Sequence, residues 1–163
     1  MLVTPFNPDH AGLLVRSFDR LVERSRDRIL IFSDNMKVSA GDLCDWSDCG
    51  VAEIHASPLV PGSVVGLVAP SGPAFLAGFL AIRRAGCTAL LLDHSSPKID
   101  RHRVISAIGP QAVLVCENKP KERLIGFRLV RSDRSGNGDY RPDRAVIKMT
   151  SGSTGKPCGI AVS

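Results

Sequence analysis

The sequence predicts an α/β fold: a layered, largely parallel sheet with helices on both faces. Three observations predict it. Apolar runs of strand length recur at "SVVGLVA", "CTALLLD" and "QAVLVCE", continuous rather than alternating, as strands covered on both faces require. Helical segments lie between these runs. Short links marked by Gly and Pro join strand to helix to strand, which makes parallel βαβ units with right-handed crossovers.

The elements follow in order. Residues from about 12 to 26 carry Leu14, Phe18, Leu21 and Val22 at helical spacing, with Arg16, Arg20, Glu23 and Arg24 mostly off that stripe. "RILIFSD" and "NMKVS" read as two short strands. Ser39 is then placed as an N-cap with Asp42 three residues on, ahead of a helix whose inward stripe is Leu43, Trp46, Val51 and Ile54. A Pro61-Gly62 turn opens the "SVVGLVA" strand. In "PSGPAFLAGFLAIRRAG", Ser71 is the candidate N-cap, Pro73 falls in the first turn and Gly86 closes the helix. Its body, Ala74 to Ile82, is apolar all round and predicts a buried helix. "SPKIDRHRVISAIG" predicts a helix from near Ser96 with Ile99, Val104 and Ile108 inward. "RLIGFRLVRS" has strand character, Asp133–Asp143 is a polar turn-rich loop, and "RAVIKMT" is a last short strand.

Composition bounds the function. The 163 residues suffice for one domain with a hydrophobic core, and 44% apolar with 23% charged residues is a globular balance. The net charge of +5 comes from dispersed Arg and Lys with one Trp and one Tyr, so there is no stacking platform or basic stripe and no nucleic-acid partner is expected. Five cysteines (Cys44, Cys49, Cys87, Cys116 and Cys158) form no CxxC pair, which argues against a disulfide framework or zinc site and for a reducing, cytoplasmic setting. The start carries no basic segment followed by an apolar one, so no secretory signal is expected. Ala56 to Ile82 lacks any charge over 27 residues. Pro58, Pro61, Pro70 and Pro73 break that run, however, so it is not read as a transmembrane segment.

One stretch carries chemistry. The last strand runs into "TSGSTGKPCG", Thr150 to Gly159. Gly152, Gly155 and Gly159 let backbone N–H groups turn inward to form an anion-binding concavity. Thr150, Ser151, Ser153 and Thr154 add hydroxyls, and Lys156 adds a cation. A Walker A loop is excluded: Gly152 and Gly155 are separated by two residues rather than four, and Pro157 follows the lysine. On composition alone, a flexible Gly/Ser linker or a plain hairpin turn explains the stretch equally well.

The order of residues says more. "TSGSTGKPCG" resembles the signature phosphate loop of the adenylate-forming (AMP-binding) superfamily, which comprises acyl-CoA synthetases, peptide-synthetase adenylation domains and luciferases. Thr150, Ser151, Gly152, Ser153, Thr154, Gly155, Pro157 and Gly159 match it. "PGSVVGLVAPSGPAFLAGFLAIRRAGCTALLLD" is similar to the family's early segment, and the resemblance spans roughly residues 12 to 163.

The resemblance implies the N-terminal subdomain of an adenylate-forming enzyme. Residues 1–163 would be the N-terminal part of an AMP-binding (adenylation) domain, ending just after the phosphate loop, with the C-terminal domain absent. It implies an ATP-dependent acid–thiol ligase: a small-molecule carboxylic acid and ATP give acyl-AMP and pyrophosphate, and a thiol of CoA or of a carrier protein takes the acyl group. Mg²⁺ accompanies the ATP. The nucleotide contacts would come from Thr150, Ser151, Gly152, Ser153, Thr154, Gly155 and Lys156. Cys158 stands where the family usually has Lys, which removes a cation from the loop. No catalytic residue is carried over, and 163 residues alone are expected to be inactive. A non-catalytic nucleotide-binding or partner-docking module is the alternative. Asp93 and His94, ending the "LLLDH" strand, are read first as a strand-ending cap and second as ligand contacts. His10, His55 and His102 are read as surface residues.

Overall fold

In a computed structural model of the chain, residues 12–33, 36–119, 124–132, 146–150 and 158–162 are described. Helix α1 (Gly12–Arg24) precedes a small antiparallel pair, β1 (Ile29–Ser33) and β2 (Met36–Ser39), and then α2 (Ala40–His55). The main sheet and its crossovers follow: β3 (Val64–Ala69), α3 (Pro73–Arg84), β4 (Thr88–Asp93), α4 (Lys98–Ile108), β5 (Ala112–Lys119), β6 (Leu124–Arg131), β7 (Val146–Thr150) and β8 (Cys158–Val162).

The six-stranded sheet has the order β6-β5-β3-β4-β7-β8. β5, β3, β4 and β7 are mutually parallel, as the continuous apolar runs predict, while β6 and β8 add antiparallel edges. Alternation along each strand divides the core into two faces. Val65, Leu67 and Ala69 of β3, with Leu114 and Phe127, pack under α2 and α3. Val68, Leu90, Leu92 and Ile147 form a smaller core with Val104, Ile105 and Ile108 of α4. Gly66 lies on this second face, where a Cβ would stand 3.0 Å from Leu92 Cδ1 and 3.3 Å from Val113 Cγ2.

Local expectations hold at several places. Ser39 caps α2 in a capping box: Asp42 N–H donates to Ser39 Oγ (3.1 Å), and Ser39 N–H donates to Asp42 Oδ2 (2.9 Å). Gly86 follows the end of α3 at φ 72°, the left-handed conformation that stops helices. Leu43, Trp46 and Ile54 are buried, and so is most of α3.

Three expectations are corrected. The inward stripe of α1 is Val15, Phe18 and Val22, spaced i, i+3, i+7, and Leu14 stands 59% exposed. Ile99 is also 59% exposed, because α4 rests on the sheet through its later turns and its first turn overhangs the strand ends. Ser71 does not cap α3. Gly72 holds that position at φ 110° without a side-chain hydrogen bond, a backbone conformation L-residues resist, and Pro73 follows as the first helical residue.

The helical layer is tied by Arg84, which donates to Ser47 Oγ (2.7 Å), pairs with Asp48, and reaches Asp19 (3.4 Å). One side chain thus joins α1, α2 and α3. Burial raises Asp19 above the ordinary carboxylate range against the pull of Arg84. The described thiols are free, and burial pushes Cys87 up to about 12. Among the described residues no helix is long and apolar enough to cross a membrane.

Close approach of α2 to α3 generates a test. A Cβ on Gly50 would lie 2.6 Å from Ala81 Cβ, an atom fixed to backbone. Gly50→Ala gains about 1 kcal/mol of helix propensity, but overpacking costs about 1–3 kcal/mol. The expected net result is a lower urea midpoint, and a raised midpoint would contradict the packing described.

Candidate functional site

The β3–β4 ladder runs for six pairs, from Val64↔Thr88 to Ala69↔Asp93. Its end fixes what comes next. After Ala69 the chain enters α3 on the face of the larger core, and after Asp93 it enters α4 on the opposite face. Adjacent parallel strands whose connections leave to opposite faces open a crevice at their carboxyl ends, the position where open α/β sheets bind ligands. A cleft of about 620 Å³ lies there, bounded by Pro70 and Ser71 after β3, Asp93 to Ser96 after β4, and Lys148 and Met149 of β7. Its volume suits a small organic ligand.

The β4–α4 turn is built by its own side chains. Asp93 accepts from Ser95 N–H (2.8 Å), Ser95 Oγ (2.7 Å) and Ser96 Oγ (2.9 Å). These bonds favour the ionised form and hold the Asp93 carboxyl below the ordinary range. The capping role expected of Asp93 is therefore the one it performs, and both it and His94 also line the cleft. Arg101 reaches back from α4 and donates through Nη1 to the carbonyls of His94 (2.9 Å) and Ser96. These bonds fix the position of its guanidinium against the turn. Asp100 is paired with Arg103 (3.1 Å).

Sequence reasoning missed Arg101 and Lys148. Nothing local to Arg101 announces its reach across the strand end. Lys148 had a signal: it interrupts an otherwise apolar strand, "VIKMT".

Of the expected nucleotide contacts, Thr150 ends β7 and pairs in register with Cys158, the first residue of β8. Ser151, Gly152, Ser153, Thr154, Gly155 and Lys156 lie outside the described residues, as do the Asp133–Asp143 loop and His10. The register still brings both ends of that segment to the carboxyl end of β7, beside β4. Gly159 has a packing reason: a Cβ there would stand 2.8 Å from Ile147 Cγ2 and 3.2 Å from Ile108 Cδ1. His55 and His102 are exposed, as expected. Among the described residues no three His, Cys, Asp or Glu side chains gather to hold a metal.

The Asp93 bonds carry a pH signature. A depressed carboxyl contributes stability that is complete above the unfolded value of about 3.9 and is lost as pH falls through the lower folded value. Ser95→Ala removes the largest cause, so the Asp93 midpoint followed by carbon NMR should rise towards the ordinary value. An unmoved midpoint would show that these bonds do not set it.

Comparison with known proteins places this geometry. The AMP-binding enzyme family matches residues 18–163. A plipastatin synthase of Bacillus subtilis (strain 168) is 28% identical over 158 residues, covering 90% of this chain and 6% of that protein. The Klebsiella oxytoca NpsA N-terminal subdomain, solved in complex with anthranilyl-AMSN, is 25% identical with a TM-score of 0.67, covering 91% of this chain and 40% of that one. NpsA-ThdA, an artificially fused Adenylation-PCP di-domain from the same organism, superposes with a TM-score of 0.69 at 23% identity over 92% of this chain and 32% of its own. The chain thus spans a small part of the synthase it matches and well under half of the solved subdomain. The two-faced parallel sheet, the cleft at its switch point and the match over nearly all of the sequence have one reading: this chain belongs to the AMP-binding family of adenylate-forming enzymes.

Proposed function

We propose that the chain is the N-terminal part of an adenylation domain and provides the phosphate-holding side of its ATP site. In this reading residues 1–163 belong to an ATP-dependent acid–thiol ligase. The carboxylate of a small acid attacks the α-phosphorus of ATP, pyrophosphate leaves, and a thiol then takes the acyl group from the acyl-AMP, releasing AMP. Thr150, Ser151, Gly152, Ser153, Thr154, Gly155 and Lys156 hold the departing phosphates through N–H, hydroxyl and ammonium donors, which stabilise charge without having to reorganise. Mg²⁺ enters with the nucleotide, as it commonly does when phosphates supply most of its ligands.

The observation that carries this reading is the Thr150↔Cys158 pairing, which brings both ends of the Gly/Ser/Thr segment to the carboxyl end of an internal strand of the sheet. Family membership supports it. The peptide-synthetase relatives and the adenylation–PCP fusion favour a carrier-protein thiol over CoA as acceptor. ATP and reduced thiols fit a cytoplasmic setting. Ile160 and Val162 of β8 stand 54% and 47% exposed, which favours a larger ligase that covers this edge over a free-standing docking module.

Two measurements test the reading. Calorimetric titration with ATP should show binding that Ser153→Ala/Thr154→Ala weakens about tenfold, the worth of lost charge-assisted hydrogen bonds. Equal affinities would remove the loop from the site. Carboxylate-dependent exchange of pyrophosphate into ATP should be absent from the 163-residue chain, because the proposal places the acyl pocket in other parts of the ligase. Robust exchange would contradict that division.

A further inference from the structure

The charges around the cleft are unequal in their commitments. Asp93 accepts from Ser95 and Ser96, Arg101 keeps its charge but is held through Nη1 by the His94 and Ser96 carbonyls, and Asp100 is paired with Arg103. Lys148 also lines the cleft, is exposed, and has neither ion pair nor hydrogen bond among the described residues.

Its place on the strand is informative. Ile147 and Met149 belong to the small core under α4, so alternation sends Lys148 to the opposite face, where Phe75 of α3 also borders the cleft. β7 is an internal strand between β4 and β8, so this lysine is not one of the charges that guard sheet edges against aggregation. It is the only charged residue on the described β7–β8 ladder, where it pairs with Ile160. Thr150 follows two residues on, about 6.8 Å along the strand. Position 158, opposite Thr150, carries a cysteine rather than a basic residue. A mobile ammonium on a four-carbon stem suits a phosphate as a point charge.

We propose that Lys148 supplies the strand-borne cation of the site and pairs with a phosphate oxygen of the bound nucleotide. This rests on the reading that the cleft and the adjoining loop take ATP. Lys148 binds the polyphosphate and not the base, and its charge is what matters.

Titration of the 163-residue chain with ATP, inorganic tripolyphosphate and adenosine, for wild type, Lys148→Gln and Lys148→Arg at one ionic strength, tests this. Lys148→Gln should weaken ATP and tripolyphosphate about tenfold and leave adenosine unchanged, while Lys148→Arg stays within about threefold of wild type. Thermal midpoints should agree across the three, because Lys148 supports no described contact. Unchanged ATP affinity in Lys148→Gln would overturn the role of Lys148 while leaving the loop reading standing. Equal losses in Gln and Arg variants would also overturn it, since charge would then not be the cause. Failure of the wild type to bind either ATP or tripolyphosphate would overturn the ATP reading itself, and this role with it.

Discussion

Everything at the proposed site depends on the parallel pairing of β3 with β4. The pairing brings Ala69 level with Asp93, so two chain exits stand side by side at one end of the sheet. Burial on both faces enforces this register. Val65 and Leu67 look into the larger core and Val68 and Leu90 into the smaller one, so a shift by one residue would exchange the faces. Gly66 adds a steric condition, because Leu92 and Val113 close over it. The exits then diverge, to α3 on one face and α4 on the other, and the crevice between them is a geometric consequence.

What lines the crevice divides between structure and reception. Asp93, Ser95, Ser96 and Arg101 form a self-bonded turn whose polar groups largely satisfy one another. That arrangement gives the cleft a firm wall with few donors left over. A second cation lining the cleft comes from the other side, from β7, the strand that leads into the Gly/Ser/Thr segment. A polyanion entering here would meet a pre-built wall and the Lys148 ammonium, with hydroxyls and backbone N–H groups expected beyond Thr150.

Much of this was legible in residue order. Continuous apolar runs announced parallel strands, "SAGD" announced the cap of α2, and "TSGSTG" pointed to the AMP-binding family once its order was weighed rather than its composition. The misses have physical causes. Leu14 and Val15 precede Phe18 at equally helical spacings of four and three residues, and only the position of α2 and α3 chooses Val15. Ile99 fits an amphipathic pattern but lies in a turn that overhangs the strand ends. Ser71 is a good cap by type, yet the chain turns at Gly72, where φ is 110°. Arg101 works through carbonyls five to eight residues away, and no spacing rule encodes that reach.

The central claim is that the carboxyl ends of β3, β4 and β7 receive a nucleotide. Backbone amide shifts followed by NMR during titration with ATP test it most directly. The geometry predicts perturbations grouped at Ser71, His94 to Ser96, Lys148 and Met149, with the opposite strand ends at Ser63 and Gln111 unmoved. Shifts centred on Ser63 and Gln111, or none at saturating ATP, would contradict it.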